Sequence, residues 1–197
     1  AQILPTHMGA RAEGRIVVAH LGNGASLCAL KQRKSVATTM GFTPLEGLPM
    51  GTRCGTIDPA VLLYLMREQQ MNHDDLAELL HRQSGLLGIS GISADMRTLL
   101  ESNDPRAKQA VNLFIWQTCR HIGALVATLD GIDGLIFTAG IGEHAPQIRA
   151  RICARLQWLG VKLDEPSNQT NATCISTDDS QVSVLVLPTD EEIIIAS

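Results

Sequence analysis

The stretch Leu135-Ile-Phe-Thr-Ala-Gly-Ile-Gly-Glu-His-Ala-Pro146 constrains this chain most. An apolar run of strand length meets Gly140-Ile141-Gly142, then Glu143, then a proline placed where a helix would begin. Strand, glycine turn and helix start together aim free backbone N–H groups at an anion, usually a phosphate. Glycines are needed there because a side chain would hold the anion off the backbone.

The rest of the chain supplies a sheet around that strand. Ile16-Val-Val-Ala-His-Leu21 is nearly continuous in apolar residues, as a strand covered on both faces must be. Gly22-Asn23-Gly24 reads as a turn using positive φ. Ala25–Leu30 and Val36–Met40 complete three consecutive antiparallel strands. A Gly-, Pro- and Thr-rich loop runs from Gly41 to Asp58 and carries Met50-Gly-Thr-Arg-Cys-Gly55. Asp58 then caps a helix with Pro59 in its first position and Val61, Leu62, Leu65 and Met66 as its inward stripe. Asn72 with Asp75 caps a second helix that turns Leu76, Leu79 and Leu80 inward. Ser84–Gly91 reads as a glycine-rich connector.

The longest helix is expected from Asp104-Pro105, with Val111, Phe114, Ile115, Thr118, Ile122, Leu125 and Leu129 on one face and Gly131 as its stop. Strand 133–138, the Gly-Ile-Gly turn and a helix carrying Ile148, Ile152, Leu156 and Leu159 follow, with Gly160 as terminator. Residues 164–181 read as an exposed loop, Val182–Leu187 as a last buried strand, and Pro188–Glu192 as the opening of a last helix. The order βββ, helices, β, α, β, α predicts one α/β domain over 1–197, a mixed sheet with helices on both faces.

Composition narrows the function. A net charge of −4 without a basic run, and 3% aromatic residues, argue against a nucleic-acid partner. No apolar stretch is long enough for a membrane span. Five scattered cysteines without a C-x-x-C suggest a reducing, cytoplasmic setting. The histidines form no H-x-x-x-H pair, which argues against a protein-only zinc site. The chain begins without Met and stops at Ile193-Ile-Ile-Ala-Ser197 inside an expected helix, so it reads as a piece of something longer.

Each candidate motif has a plain structural reading beside the chemical one. His20-Leu21-Gly22-Asn23-Gly24 brings amides toward phosphate oxygens, or is simply a hairpin turn. Arg53, alone in a Gly/Thr loop, offers a planar fork to a transferring phosphoryl group, or is a surface cation. Asp95-Met96-Arg97 holds a ribose and a base, or starts a helix capped by Ser93. Gly140–Ala145 also satisfies G-x-G-x-x-A after a strand, with Asp164-Glu165 about ~20 residues on, so a dinucleotide site is a rival. Thr189 with Glu192 forms a capping box, which leaves Glu191 free to hold the water shell of a divalent ion.

Together, His20–Ser26, Thr43–Arg53, Ile57–Ala60, Ser84–Arg97, Phe137–Glu143 and Pro188–Glu192 resemble the acetate kinase (acetokinase) family, which includes propionate and butyrate kinases. The resemblance covers nearly the whole chain and implies its C-terminal half, with an N-terminal domain missing. It implies the actin/hexokinase/Hsp70-like (ribonuclease H-like) βββαβαβα fold. It also implies reversible phosphoryl transfer between ATP and acetate, giving acetyl phosphate and ADP, with Mg2+.

By resemblance, His20–Gly24 is the phosphate hairpin, Asp95–Arg97 the adenosine turn and Gly140, Ile141, Gly142, Glu143 and His144 the second nucleotide loop. Arg53 is similar to the transition-state arginine, and Glu191 to the magnesium-site glutamate. Ala25, Cys54, Thr56 and His144 depart from the family's usual Gly, Ser, Asp and Asn; the last opens a pH-sensitive contact. A homodimer is implied, with the helices at 106–129 and 145–159 as candidate partner-facing surfaces. Standing apart from catalysis, a binding or dimerisation module on the same fold is the other function class.

Overall fold

Three strand-length apolar runs do form the centre of a sheet. In the computed structural model, which describes residues 1–189, the strands are β1 (Arg15–Leu21), β2 (Ala25–Lys31), β3 (Lys34–Thr38), β4 (Gly134–Thr138) and β5 (Ser183–Val186). Their order is β3-β2-β1-β4-β5. β1 and β4 pair in parallel with Ile16 opposite Gly134 and His20 opposite Thr138, and β4 pairs in parallel with β5. β2 and β3 are antiparallel. Every residue of β4 is buried, as its unbroken apolarity requires.

The helices are α1 (Leu4–Met8), α2 (Pro59–Glu68), α3 (His73–Arg82), α4 (Gly85–Ser90), α5 (Met96–Glu101), α6 (Pro105–Leu129), α7 (Ala139–His144), α8 (Pro146–Arg155) and α9 (Glu165–Gln169). Within the 1–197 span the chain folds as two compact units. The first comprises Ala1–Gly22, Leu27–Thr38 and the described residues from Ile122 onward; the second comprises Asn23–Ser26 and Thr39–His121. The fold is α/β, a mixed five-stranded sheet with helices.

In the first unit, one apolar cluster joins Leu4, Ala12, Ile16, Leu30, Ile136, Leu185 and Leu187. Ile148 and Ile152 of α8 and Ile122 of α6 are fully buried as well. The α6 stripe is buried along its whole length, from Val111 to Leu129. The chain then leaves the helix through Asp130 and Gly131, both at positive φ.

Several expectations are corrected. β3 starts at Lys34 rather than Val36, because Gln32 and Arg33 both adopt positive φ and close a two-residue turn. The turn at Gly22–Gly24 has no residue at positive φ. Its shape is set instead by the loop at Gly51, whose N–H donates to the Asn23 carbonyl. Ser84–Gly91 is not a connector but contains α4, and residues 164–181 contain α9 together with bridges at Leu163–Ser176 and Cys174–Leu185.

The caps of α2 and α3 form as expected: Asp58 accepts from Ala60 N–H, and Asn72 with Asp75 makes a capping box. Their apolar stripes, however, are not buried. Neither helix contains a buried residue, and Leu63, Tyr64 and Met66 are half or more exposed. Periodicity shows which residues share a face; it does not supply the surface that covers them. The reverse holds for 106–129 and 145–159, whose apolar residues are mostly used in the core of this chain.

At the start of β1 and β4, Asp133 accepts from the Arg15 N–H and from both Nε and Nη2 of its guanidinium. The hydrogen bond from the Arg15 side chain is the main reason the Asp133 carboxyl lies below its ordinary value, against an opposing push from partial burial. A carboxylate depressed in the folded state contributes stability above its unfolded value of about 3.9, and that contribution is lost as pH falls through the folded value. Asp133→Asn therefore lowers Tm at pH 7 and changes it little near pH 2. Calorimetric scans across that range check this, and an equal Tm deficit at both ends would exclude it.

Candidate functional site

In the first unit the parallel strands β1 and β4 end side by side, which places His20 next to Thr138 and the following loop. Leu21 is fully buried and contributes only backbone to whatever lies beyond the strand end. After β4 the helix expected at Pro146 forms as α8, but the stretch before it is not a glycine turn. Ala139, not a glycine, takes the positive φ, and Gly140–His144 lie inside the short helix α7.

The two glycines differ in purpose. A side chain on Gly140 would meet nothing within 4 Å, whereas one on Gly142 would reach 3.4 Å from the Phe137 backbone and 3.6 Å from the Ala19 carbonyl. Those are ordinary van der Waals distances, so Gly142 packs against β1 and β4 without being crowded, while Gly140 borders open space. Gly140 and His144 face solvent. Glu143 turns inward, its Oε1 accepting from Ala139 N–H at 2.8 Å and Thr189 N–H at 3.0 Å. Thr189 also pairs its hydroxyl with that of Thr138. No local signal announces the pairing of Thr138 with Thr189, because the two follow different strands. Glu191 and Glu192, and with them the proposed capping box and metal ligand, lie outside the described residues.

In the second unit, segments remote in sequence meet. A side chain added to Gly51 would fall 2.0 Å from Asn23 Oδ1 and 3.2 Å from the Ala94 carbonyl. One on Gly24 would lie 3.8 Å from Nη1 of Arg53. Asn23, Gly24, the Met50–Arg53 loop and the residue before Asp95 are therefore neighbours. The Arg53 guanidinium is steadied by neutral partners, donating to the Pro44 carbonyl at 3.3 Å and lying 3.8 Å from the Met50 sulfur. Beside it, Cys54 donates to the Gly55 carbonyl, and burial pushes its thiol up, so it is no ready nucleophile.

Asp95 is the N-cap of α5, accepting at Oδ2 from both the N–H and the hydroxyl of Thr98. Those bonds hold its carboxyl below the ordinary value. The helix start is real, then, but Asp95 rather than Ser93 caps it. Met96 is buried and Arg97 exposed.

The rival dinucleotide reading needs an acidic residue free to meet a ribose. Asp164 instead caps α9 through Ser167 N–H, and Glu165 binds Gln169. Among the described residues no cluster of His, Cys, Asp and Glu suits a metal ion, and no helix is long and apolar enough to cross a membrane.

The sequence profile of the Acetokinase family matches residues 3–197. An acetate kinase of Rhodopseudomonas palustris is 55% identical over 94% of this chain and 47% of its own length. The crystal structure of Porphyromonas gingivalis acetate kinase superposes with a TM-score of 0.93 at 36% identity, covering 99% of this chain and 51% of that one. A propionate kinase from Francisella tularensis gives 0.90 at 38% identity, covering 100% of this chain and half of its own. The chain spans about half the length of the relatives it matches. With its profile matched over residues 3–197 and its backbone superposing on solved acetate and propionate kinases at TM-scores of 0.90 and above, the chain belongs to the acetokinase family, with its actin/hexokinase-like fold.

Proposed function

We propose that this chain is the C-terminal nucleotide-binding domain of an acetate kinase, acting together with an N-terminal half. The observation that carries this reading is the meeting, in the second unit, of Asn23–Gly24, the Met50–Arg53 loop and the segment entering Asp95. Small residues and backbone surround one guanidinium there, as a phosphoryl group requires.

In the reaction a carboxylate oxygen of acetate attacks the γ-phosphorus of ATP. That O–P bond forms as the bond to the β–γ bridging oxygen breaks, and ADP leaves. Little covalent help is needed from the protein, so positioning and positive charge do most of the work. Arg53 stabilises charge on the migrating group. His20, Leu21, Gly22, Asn23 and Gly24 hold phosphate oxygens, and Asp95, Met96 and Arg97 border the adenosine, Met96 through its backbone. Gly140, Ile141, Gly142, Glu143 and His144 form the second nucleotide loop, with Glu143 bracing it from within. Magnesium, with Glu191 as its proposed ligand, supplies charge neutralisation on the phosphates when bound.

The same reading includes a cytoplasmic location and a homodimer. A second copy is proposed to cover Leu63 and Tyr64, which stand 68% and 53% exposed on the side of α2 opposite the half-buried Leu62 and Leu65.

The test is a hybrid in which this chain replaces the C-terminal half of the Rhodopseudomonas palustris acetate kinase. The hybrid forms acetyl phosphate from ATP and acetate and sediments as a dimer, while Leu63→Glu sediments as a monomer. The chain alone forms none. Acetyl phosphate from the isolated chain, or a folded hybrid without turnover, would falsify the reading.

A further inference from the structure

Among the described residues, Arg149 is the largest side chain wholly removed from solvent. A guanidinium has five N–H donors in a fixed fork, and here all five are used. Nε donates to Asn168 Oδ1 at 2.8 Å, and Nη1 to the carbonyls of Gly142 and Glu143, both at 2.8 Å. Nη2 donates to the Asn168 carbonyl at 2.7 Å and to Asn171 Oδ1 at 2.6 Å. Every one of these acceptors is a neutral oxygen. Burial lowers the guanidinium's affinity for its proton, which an ion pair would have opposed.

The three backbone acceptors have a common origin. Gly142 and Glu143 carry carbonyls at the C-terminus of α7, and Asn168 carries one in the last turn of α9. Helix ends leave such carbonyls unpaired and negative, so one cation here satisfies two helix ends together. Asn168, itself fully buried, donates from Nδ2 to the Pro146 carbonyl in the first turn of α8. An apolar residue would fill the space but strand these oxygens; a lysine has only three donors, without the planar fork.

We infer that Arg149 is a positioning residue for the nucleotide loop 140–144, an inference that rests on the proposed kinase reading. It fixes the backbone of Glu143 from below, while the Glu143 carboxylate grips the N–H groups of Ala139 and Thr189 from the other side. The loop is thereby set from both ends, and its exposed Gly140 and His144 are presented in one arrangement. Arg149 touches no substrate; it acts through Gly142 and Glu143.

The experiment uses Arg149→Lys and the gentler Asn171→Gly, which suits the positive φ of Asn171 and removes one acceptor only. In the hybrid enzyme, KM for ATP rises about tenfold or more in Arg149→Lys and a few-fold in Asn171→Gly, while KM for acetate stays within twofold. A role in folding alone would lower kcat through loss of active protein and leave both KM values unmoved; that result, or unaltered kinetics, overturns the inference. Hydrogen exchange on this chain gives a readout independent of turnover. Amides 139–144 exchange at least about tenfold faster in Arg149→Lys while those of β1 and β4 stay protected. Uniform change, or none, overturns the positioning role. If the unmutated hybrid is inactive, the kinase reading fails while the exchange result still decides the role of Arg149.

Discussion

Arg53→Ala in the hybrid enzyme lowers kcat about 10³-fold and changes KM for ATP and acetate only a few-fold. A planar cation on a migrating phosphoryl group is worth roughly that much, about 4 kcal/mol of barrier, because charge on the equatorial oxygens peaks in the transition state. The local geometry supports an effect on kcat rather than binding. Arg53 sits on a loop laced by its own backbone: Met50 N–H donates to the Arg53 carbonyl, Cys54 N–H to the Leu80 carbonyl, and the Thr52 hydroxyl to the His81 carbonyl. Among the described residues the guanidinium is held by a carbonyl and a thioether, partners a phosphoryl group outcompetes. Arg53→Lys keeps the charge without the fork and recovers only part of the rate. Steady-state kinetics decide the point. A mutant whose kcat stays within threefold, with the loss confined to KM, would remove Arg53 from the transition state.

Gly85→Ala destabilises the chain by about 3 kcal/mol or more, and takes the Arg53 loop with it. Gly85 lies at φ +59°, and a Cβ there would fall 2.2 Å from the Met50 carbonyl oxygen and 2.7 Å from that of Arg53. Neither oxygen is free to retreat, since the first accepts from Leu86 N–H and the second from Met50 N–H. Gly91 provides the control. It has almost the same φ, +63°, but its nearest neighbour is the flexible end of Arg106 at 3.5 Å. Gly91→Ala therefore costs only the left-handed conformation, about 1–2 kcal/mol. Urea unfolding of both variants separates the two contributions; equal losses would mean that crowding at Gly85 is relieved by movement, and that the loop is not rigid.

These two sites mark how far the sequence could be read. The β1 and β4 strands, the capping residues Asp58 and Asn72, and the α6 stripe follow from local chemistry: cap side chains reach two or three residues, and a periodic stripe is a property of one helix. The family motifs were legible for the same reason, since glycines, Arg53 and the strand before Gly140 stand in short segments. The α4 helix was not. Its N-terminal N–H groups are satisfied by the carbonyls of Met50 and Gly51, a loop more than thirty residues earlier, so no local cap announces it.

The β4–α7 junction shows the same division. A strand followed by Gly-Ile-Gly predicted a turn, but Glu143 and Thr189 bind the Ala139 N–H, so Ala139 takes the positive φ and the glycines enter a helix. Nothing next to Arg149 in sequence marks it for burial; α9 brings Asn168 and Asn171 against it. Hydrophobic periodicity, caps and short motifs are written in neighbouring residues, so the sequence by itself determined the strands, most helix starts and the family. Which buried polar groups meet, which glycine is crowded and which apolar face stays uncovered depend on segments far apart in the chain. Hydrogen-bond satisfaction and close packing act only once those segments are in contact, and the tertiary structure alone decides them.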